Sequence, residues 1–227
     1  MKRSEINQII RDFEKKLEEH QFYLPPFLHF TPEEWQEKNH EYDEIRDNAL
    51  GWDVTDYGLG DFSKTGLSLI TIRNGNVNNP KYKKTYAEKI MMLREGQVSP
   101  NHFHWKKMED IINRGGGDLV FRLWNATEDG ALKDDEVLVH MDGRSFTHPA
   151  GEDLILKPGE SLTLYPYLYH EFFVAPGGSY AIIGEVSMCN DDNNDNRFYE
   201  PLGRFPKIEE DEPAYRLLCN EYPAARD

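Results

Sequence analysis

Cysteine is scarce in this sequence, and long apolar runs are missing from it. Only two cysteines occur among 227 residues, so no disulfide framework can be inferred and a reducing cytoplasm is the expected compartment. No stretch approaches the roughly 18 apolar residues that a membrane span needs. The N-terminal sequence MKRSEINQIIRDFEKK also lacks the apolar run of a signal peptide. We therefore expect a soluble cytoplasmic protein with no membrane partner.

Positive charge is also in deficit. The 26 Lys and Arg residues are outnumbered by 41 Asp and Glu residues, which leaves a formal net charge of −15. Nucleic acid and anionic membranes both need a positive surface, so neither is an expected partner. The basic clusters at residues 81–84 and 106–107 are short, and we interpret them as solvated surface. With 38% hydrophobic residues, the chain can form the core of one large domain.

The first part of the chain predicts helices. Apolar residues recur at helical spacing over residues 4–20, and the pair Pro25 and Pro26 ends that pattern. A second helix is predicted to start at Thr31 and run to about residue 48, because TPEEW carries a capping box and an early proline. Residues 1–60 are therefore expected to form a helical arm packed on the remainder of the chain.

From about residue 66, short strand-like runs replace the helical pattern. LSLITIRNGN, YAEKIMMLREG, DLVFRLWNA, VLVHMDG, EDLILKPGE, SLTLYPYLYHEFFVA and SYAIIGEVS are divided by Gly, Pro, Asn and Asp. Many short strands at near-regular spacing predict a barrel or sandwich. We assign residues 61–190 to a β-barrel and residues 191–227 to a polar loop and tail near the barrel mouth.

One segment carries a pattern typical of a metal site. NHFHWKKMED holds His102 and His104, followed by Glu109. On a strand the two histidines point to the same face. With Gly96 before them and Gly116 after Glu109, the segment fits G-x5-H-x-H-x4-E-x6-G.

This pattern resembles the first motif of the cupin superfamily, whose members are small β-barrels that hold a metal in the mouth. The segment GESLTLYPYLYH is similar to the second motif, with Gly159 and His170 at the family spacing. It differs in that Pro166 comes one position late and Tyr167-Leu168 replaces the usual glycine. The resemblance implies a mainly β, cupin-type jelly-roll barrel with an N-terminal helical arm, in which His170 completes the metal site.

The proposed ligands also have a physical rationale. Three neutral imidazoles and one carboxylate suit Mn²⁺, Fe²⁺, Co²⁺, Ni²⁺ or Zn²⁺. On an octahedral ion they leave two positions open for a substrate. Neither cysteine lies near the cluster in sequence, which disfavours a closed structural zinc site. The other histidines are interpreted as structural or exposed; these are His20, His29, His40, His140 and His148.

A closer resemblance covers nearly the whole chain. The segments LGWDVTDYG, YAEKI, HFHWKKMEDIINRGGG, PYLYHEFF, GEVSMCNDDNNDN and DEPAYRLLCNEYP are similar to those of the bacterial D-lyxose isomerases. That family implies a metal-dependent enzyme, usually with Mn²⁺, that interconverts D-lyxose with D-xylulose and D-mannose with D-fructose. It also implies a homodimer.

The implied reaction can move a proton between C1 and C2 of the sugar through a cis-enediol, which requires a carboxylate to carry the proton. Glu185 follows an apolar run on a predicted strand, and alternation in YAEKIMML aligns Lys89 with core residues. Asp211 and Glu212 could reach the mouth if the tail folds over it. These four are the candidate catalytic residues.

Further pocket residues are weaker candidates. Asp192 and Arg197 lie in the acidic loop after the last long strand. Several aromatic residues could stack on sugar C–H faces; these are Trp52, Trp105, Tyr165, Tyr167 and Phe172.

Three other functions remain open from the sequence. A non-haem metal dioxygenase could use the same ligands but would need an oxidisable substrate. A sugar-phosphate isomerase shares the mechanism but would need a cationic phosphate cradle. A non-catalytic sugar-binding cupin would bind metal and sugar without turnover.

Overall fold

The structure is a computed structural model that describes residues 1–192 and 194–227. Three α-helices occur in these residues: α1 (Arg3–Glu19), α2 (Pro32–Gln36) and α3 (Asp43–Asp47). Two short 3-10 helices, Pro26–His29 and His40–Tyr42, lie between them. The strands are β1 (Gly51–Thr55), β2 (Leu67–Arg73), β3 (Tyr86–Arg94), β4 (Val98–His104), β5 (Glu109–Gly116), β6 (Leu119–Asn125), β7 (Val137–Met141), β8 (Arg144–His148), β9 (Leu154–Leu156), β10 (Ser161–Leu164), β11 (Leu168–Val174), β12 (Tyr180–Met188) and β13 (Asn196–Phe198).

The two helix predictions have different outcomes. The first helix is confirmed to within one residue at each end. The prediction of one helix from residue 31 to about residue 48 is wrong, because the segment is broken into three short pieces. The capping box of Thr31 and Glu34 is present. The break comes at Asn39, whose side chain accepts a hydrogen bond from the backbone of Glu41 and so offers the backbone an alternative to the helix.

The strands form two antiparallel sheets. One has the order β1-β2-β3-β12-β5-β10-β7-β8, and the other has the order β13-β4-β11-β6-β9. The inner faces of the two sheets share one large apolar cluster. The mainly β, cupin-type prediction with an N-terminal helix is therefore confirmed.

Strand alternation gives the eight-stranded sheet two apolar faces. On β3, Met91 and Leu93 face the cluster between the sheets. Ile90 and Met92 face the opposite side, where they pack with the apolar face of α1. The helix thus covers the back of the sheet, and the front is free to line the barrel interior. Lys89 shares the inward direction of Met91, which brings its charge into the barrel.

The two ends of the chain pack against each other. Arg3 forms ion pairs with Glu210 and Glu221 at the start of α1, so the tail is held against the N-terminal helix. The division into an arm of residues 1–60, a barrel of residues 61–190 and a tail of residues 191–227 stays a prediction. Both sheets draw strands from outside that barrel range, namely β1 and β13. Over the described part of the chain, no helix has the length and apolarity needed to cross a membrane.

Candidate metal centre and catalytic pocket

Three histidines meet on the inner face of the five-stranded sheet. His102 and His104 lie on β4, and His170 lies opposite His102 on the neighbouring strand β11. One ring nitrogen from each of the three lies within 4.8 Å of the others. The spacing of two residues and the antiparallel pairing together explain why three imidazoles converge here.

The backbone sets the tautomer of two of these rings. The Nδ1 atom of His102 lies 2.7 Å from the carbonyl oxygen of Pro100, and that of His170 lies 3.0 Å from the carbonyl oxygen of Leu168. An N–H at Nδ1 leaves the lone pair on Nε2, which is how metal-binding histidines are commonly oriented. Burial lowers the pKa of His170 to about 4. Burial and the neighbouring imidazoles lower the pKa of His102 well below its usual value. Both rings are therefore neutral at pH 7, as metal ligands must be.

Glu109 brings a carboxylate to the three imidazoles from the other sheet. Its Oε1 atom lies 3.2 Å from Nε2 of His104 and 3.5 Å from Nε2 of His170. Burial alone would raise the pKa of Glu109, but Lys107 and His104 hold it well below its usual value. Three imidazoles and one ionised carboxylate are a donor set that fits a divalent transition-metal ion. These residues are the ones predicted as ligands from sequence.

The turn before His170 keeps a strained backbone without the usual glycine. Tyr167 adopts a φ of 63°, a region that glycine favours. Its backbone N–H donates to the carbonyl of His104 at 3.0 Å, and its ring stacks on Phe103. The strain is thus offset by local contacts, and His170 still reaches the site.

A buried charge network adjoins the metal ligands. The Nζ atom of Lys107 lies 2.7 Å from Oε2 of Glu109 and 3.0 Å from Oε1 of Glu185. Lys89 lies 3.3 Å from the same Glu185 oxygen. Burial lowers the pKa of Lys107, but Glu109 and Glu185 more than reverse this, so its pKa is raised. Both lysines donate to the side-chain oxygen of Asn190 as well.

A second ion cluster, centred on Arg204, borders the cavity. Arg204 pairs with Asp53 of β1 and, at 2.7 Å, with Asp192. Burial would raise the pKa of Asp192, but Arg204 and Lys89 hold it well below its usual value. Burial raises the pKa of Asp53, and Arg204 only partly opposes this. These two ion pairs fix the orientation of the Arg204 guanidinium at the edge of the pocket.

One cavity of about 590 Å³, part of it open to solvent, is lined by the histidine cluster, Glu109, Glu185, both lysines, Asp192 and Arg204. Apolar walls come from Tyr57, Phe172 and Phe198. Burial raises the pKa of Tyr57 to about 12, so its phenol stays protonated and can donate a hydrogen bond. A cavity with apolar walls and a few convergent polar groups is the usual form of a small-molecule site.

The predicted catalytic residues separate into two pairs. Lys89 and Glu185 line the cavity beside the metal ligands. The expectation that Asp211 and Glu212 reach the mouth is wrong. Asp211 accepts hydrogen bonds from Ser4 and Glu212 accepts one from Asn7. The tail carries both carboxylates to the N-terminal helix, where backbone and amide donors satisfy them.

The weaker candidates also divide. Asp192 lines the cavity, whereas Arg197 is exposed and points away from it, because its neighbours Asn196 and Phe198 point in. Of the five aromatic candidates, Phe172 lines the cavity. Trp52 is buried under α1 instead, and the other three are not among the cavity-lining residues.

Sequence reasoning missed several residues of the pocket. Interpreting Lys107 as solvated surface was wrong, because its side chain is buried between two carboxylates. The sequence offered one local signal: Lys107 stands two residues before Glu109, so in an extended chain both point to the same face. Asp53 and Arg204 carried no such signal, because they are 151 residues apart in sequence and meet only in the folded barrel.

Comparison with known proteins identifies the family of this chain. Residues 1–222 match the D-lyxose isomerase family. A D-lyxose/D-mannose isomerase of Escherichia coli O157:H7 is 48% identical over 223 residues, with 98% of each chain covered. One from Serratia proteamaculans is 50% identical over the same length and coverage.

Solved structures agree on the fold. The L-ribose isomerase of Cellulomonas parahominis, solved with L-ribose, superposes with a TM-score of 0.61 at 13% identity, covering 92% of this chain and 98% of that one. The L-ribose isomerase of Acinetobacter sp. DL28 gives 0.61 at 11% identity, with 91% and 98% covered. Because the family match spans residues 1–222 and two relatives are 48% and 50% identical over 98% of the chain, this protein belongs to the D-lyxose isomerase family and is a sugar isomerase.

Proposed function

We propose that this protein is a metal-dependent isomerase that interconverts D-lyxose with D-xylulose, and D-mannose with D-fructose. The observation that carries the proposal is Glu185, a buried carboxylate held by two lysines beside a three-histidine cluster. The substrates follow those named for relatives at 48% and 50% identity.

The metal ligands in this proposal are His102, His104, Glu109 and His170. We propose Mn²⁺ as the ion, and the same donors would accept Co²⁺, Fe²⁺, Ni²⁺ or Zn²⁺. When bound, such an ion polarises a carbonyl and stabilises negative charge that develops on oxygen.

Glu185 is the proposed proton carrier. It takes the proton from C2 of the open-chain aldose and delivers it to C1 after the cis-enediol has formed. A carboxylate suits this step because it accepts and returns a proton at one position. Lys89 and Lys107 hold the Glu185 oxygen from two sides, which orients it. Lys89 is also placed to donate hydrogen bonds to the sugar oxygens between which the hydroxyl proton moves.

The charges around the pocket favour an unphosphorylated sugar. Lys89, Lys107 and Arg204 are the cations among the described residues that line the cavity. Each is already paired with a carboxylate, so a phosphate would have to displace an internal ion pair. This supports a free sugar over a sugar phosphate.

The test is an NMR assay of chelator-stripped protein in D₂O with D-lyxose, D-mannose and D-fructose, with and without Mn²⁺. Mn²⁺-dependent interconversion of aldose and ketose is the expected result. Deuterium at C2 of the recovered aldose supports the enediol route, because a hydride shift would not exchange with solvent. Binding of Mn²⁺ and sugar without turnover would contradict the proposal and leave the sugar-binding cupin. Metal-dependent O₂ consumption would favour the dioxygenase.

We also propose that the protein is a homodimer that associates through the outer face of its eight-stranded sheet. Five apolar side chains, each between 41% and 54% exposed, lie in a row across adjacent strands: Tyr86, Met188, Met108, Tyr165 and Leu138. At roughly half of about 200 Å² each, the row offers on the order of 500 Å² of apolar surface. A stable interface needs about 800 Å² per partner, so a polar rim would complete it. In a two-fold contact the same row would face its own copy, so that each apolar side chain is covered by one from the partner.

Sedimentation of Met188→Lys tests this interface. The variant is expected to be monomeric, because a buried unpaired charge disfavours association. The matched control is Ile155→Lys, since Ile155 is also 42% exposed but lies on β9 of the other sheet. A monomeric parent protein, or a control that dissociates as readily as Met188→Lys, would contradict the proposal.

We propose the cytoplasm as the place of action. Cys189 and Cys219 are both free thiols, which a reducing compartment preserves.

A further inference from the structure

Asn190 lies where the two lysines of the pocket converge. Its Oδ1 atom accepts a hydrogen bond from Nζ of Lys89 at 2.8 Å and from Nζ of Lys107 at 3.3 Å. The same two ammonium groups share Oε1 of Glu185 at 3.3 Å and 3.0 Å. Each of the two ammonium groups therefore contacts the same two oxygens, Oδ1 of Asn190 and Oε1 of Glu185.

Asn190 does not belong to the wall of the catalytic cavity. The side chains that line the cavity include Lys89, Lys107 and Glu185 but not Asn190, which lies behind them and lines a neighbouring cleft. Any effect of Asn190 on the reaction must therefore pass through the lysines.

The backbone of Asn190 is held in place by hydrogen bonds to the side chain of Asn74. Its backbone N–H donates to Oδ1 of Asn74 at 2.9 Å, and its carbonyl accepts from Nδ2 of Asn74 at 3.1 Å. Asn74 in turn exchanges hydrogen bonds with Asn48, and both are 4% exposed. Because these bonds hold both backbone polar groups of Asn190, the direction of its side chain is determined by the fold rather than by the lysines.

The side-chain oxygen of Asn190 gives both lysines an acceptor other than Glu185. Without it, the ammonium of Lys89 would have Glu185 as its remaining partner within ion-pair distance. The ion pair would close, and the lysine would cover the oxygen that has to reach the substrate carbon. Asn190 is a second acceptor for both lysines. It therefore keeps each ammonium beside Oε1 of Glu185 and prevents it from covering the other carboxylate oxygen.

We propose that Asn190 is a positioning residue of the isomerisation, which holds Lys89 and Lys107 so that Glu185 can transfer the proton. The proposal rests on the proposed function. It assigns to Asn190 an effect on the rate of the chemical step and little effect on sugar binding.

The test compares Asn190→Leu with Asn190→Asp in the Mn²⁺-loaded protein. Asn190→Leu removes the acceptor oxygen at similar size, and kcat is expected to fall about 100-fold, the usual effect of a misplaced catalytic group. KM is expected to change less than about threefold because no sugar contact is lost. Asn190→Asp keeps an acceptor oxygen in the same place and is expected to recover most of the lost kcat.

The control is Asn76→Leu. Asn76 also bonds Asn48 but does not contact either lysine, so its kcat is expected to match that of the parent protein. Metal content and melting temperature are measured for every variant. If Asn190→Leu does not fold, Asn190→Ser takes its place, since serine is too short to reach both ammonium groups.

Three results would overturn the proposal. The first is an Asn190→Leu protein with unchanged kcat. The second is a loss that appears mainly in KM or in the melting temperature. The third is an Asn190→Asp protein no better than Asn190→Leu. In all three, the parent protein still isomerises sugar and the proposed function stands, whereas a parent protein without turnover removes both proposals together.

Discussion

At the residue scale, Glu185 and Glu109 show how one buried network gives two carboxylates different roles. Both contact Lys107, but only Glu109 also contacts His104 and His170. Glu109 therefore has its oxygens directed at the metal ligands and at Lys107. Glu185 faces lysines and the cavity, which leaves it available to the substrate.

Glu185→Gln is expected to lower kcat by about 10²- to 10⁴-fold, the range for loss of a general acid–base group. Metal content should remain that of the parent protein, because Glu185 does not contact the three histidines. The measurement is steady-state kinetics with D-lyxose. Glu171→Gln is the matched control: Glu171 lies on β11 and pairs with Arg122, and it does not line the cavity. Equal losses in both variants would contradict the assignment.

His102→Ala is expected to abolish stoichiometric metal binding, because it removes one of four donors and opens a gap beside His170. Metal content after dialysis, measured by mass spectrometry, checks this. His140→Ala serves as control, since His140 bonds Ser145 away from the cluster. Full metal occupancy in His102→Ala would show that the histidine cluster is not the binding site.

At the scale of elements, α1 acts as the cover of the eight-stranded sheet. Its apolar residues meet β1, β2, β3 and β12 from behind, so the parts of these strands under the helix are buried on both faces. Phe13 is fully buried and packs edge-to-face on Trp52 with ring centroids 6.0 Å apart. Asp53 on β1 and Lys89 on β3 point to the opposite, inner face of the sheet. The helix therefore supports these two side chains by packing on the back of the strands that carry them.

Phe13→Ala is expected to lower the free energy of unfolding by about 3–5 kcal/mol, the usual cost of a Phe-sized cavity in a core. Urea unfolding followed by fluorescence measures the change. Tyr23→Ala, at a side chain that is 87% exposed, should change the free energy of unfolding by less than about 0.5 kcal/mol. A small effect of Phe13→Ala would mean that α1 is not an integral part of the core.

At the scale of the whole molecule, the proposed metal ligands come from both sheets. His102, His104 and His170 belong to the five-stranded sheet, and Glu109 begins β5 of the eight-stranded sheet. A metal ion held by residues of both sheets binds the folded state and not the unfolded chain. Metal binding should therefore add to the stability of the entire barrel.

Removal of metal by a chelator is expected to lower the melting temperature by roughly 5–10 °C. This follows from about 2.7 kcal/mol of binding free energy at a hundredfold excess over Kd and about 2–4 °C per kcal/mol for a chain of this size. Differential scanning fluorimetry checks the shift, and added Mn²⁺ should restore it. In His102→Ala the chelator should have no effect; an equal shift there would place the stabilising metal elsewhere.

Local spacing determined much of the site. His102 and His104 share a face because they are two residues apart on a strand, and Lys89 points inward with Met91 for the same reason. The apolar period of residues 4–20 likewise determined α1. In each case the direction of a side chain depends on the backbone period of its own element, which the sequence displays directly.

Only the tertiary structure decided which elements meet. Asp53 and Arg204, or Asn190 and the two lysines, come together through sheet pairing and through the need of buried charges for partners. Asp211 and Glu212 likewise have their partners on α1, where Ser4 and Asn7 donate hydrogen bonds to them. The residues that converge in the histidine cluster could thus be predicted from sequence, whereas the network that surrounds Glu185 depends on contacts between distant parts of the chain.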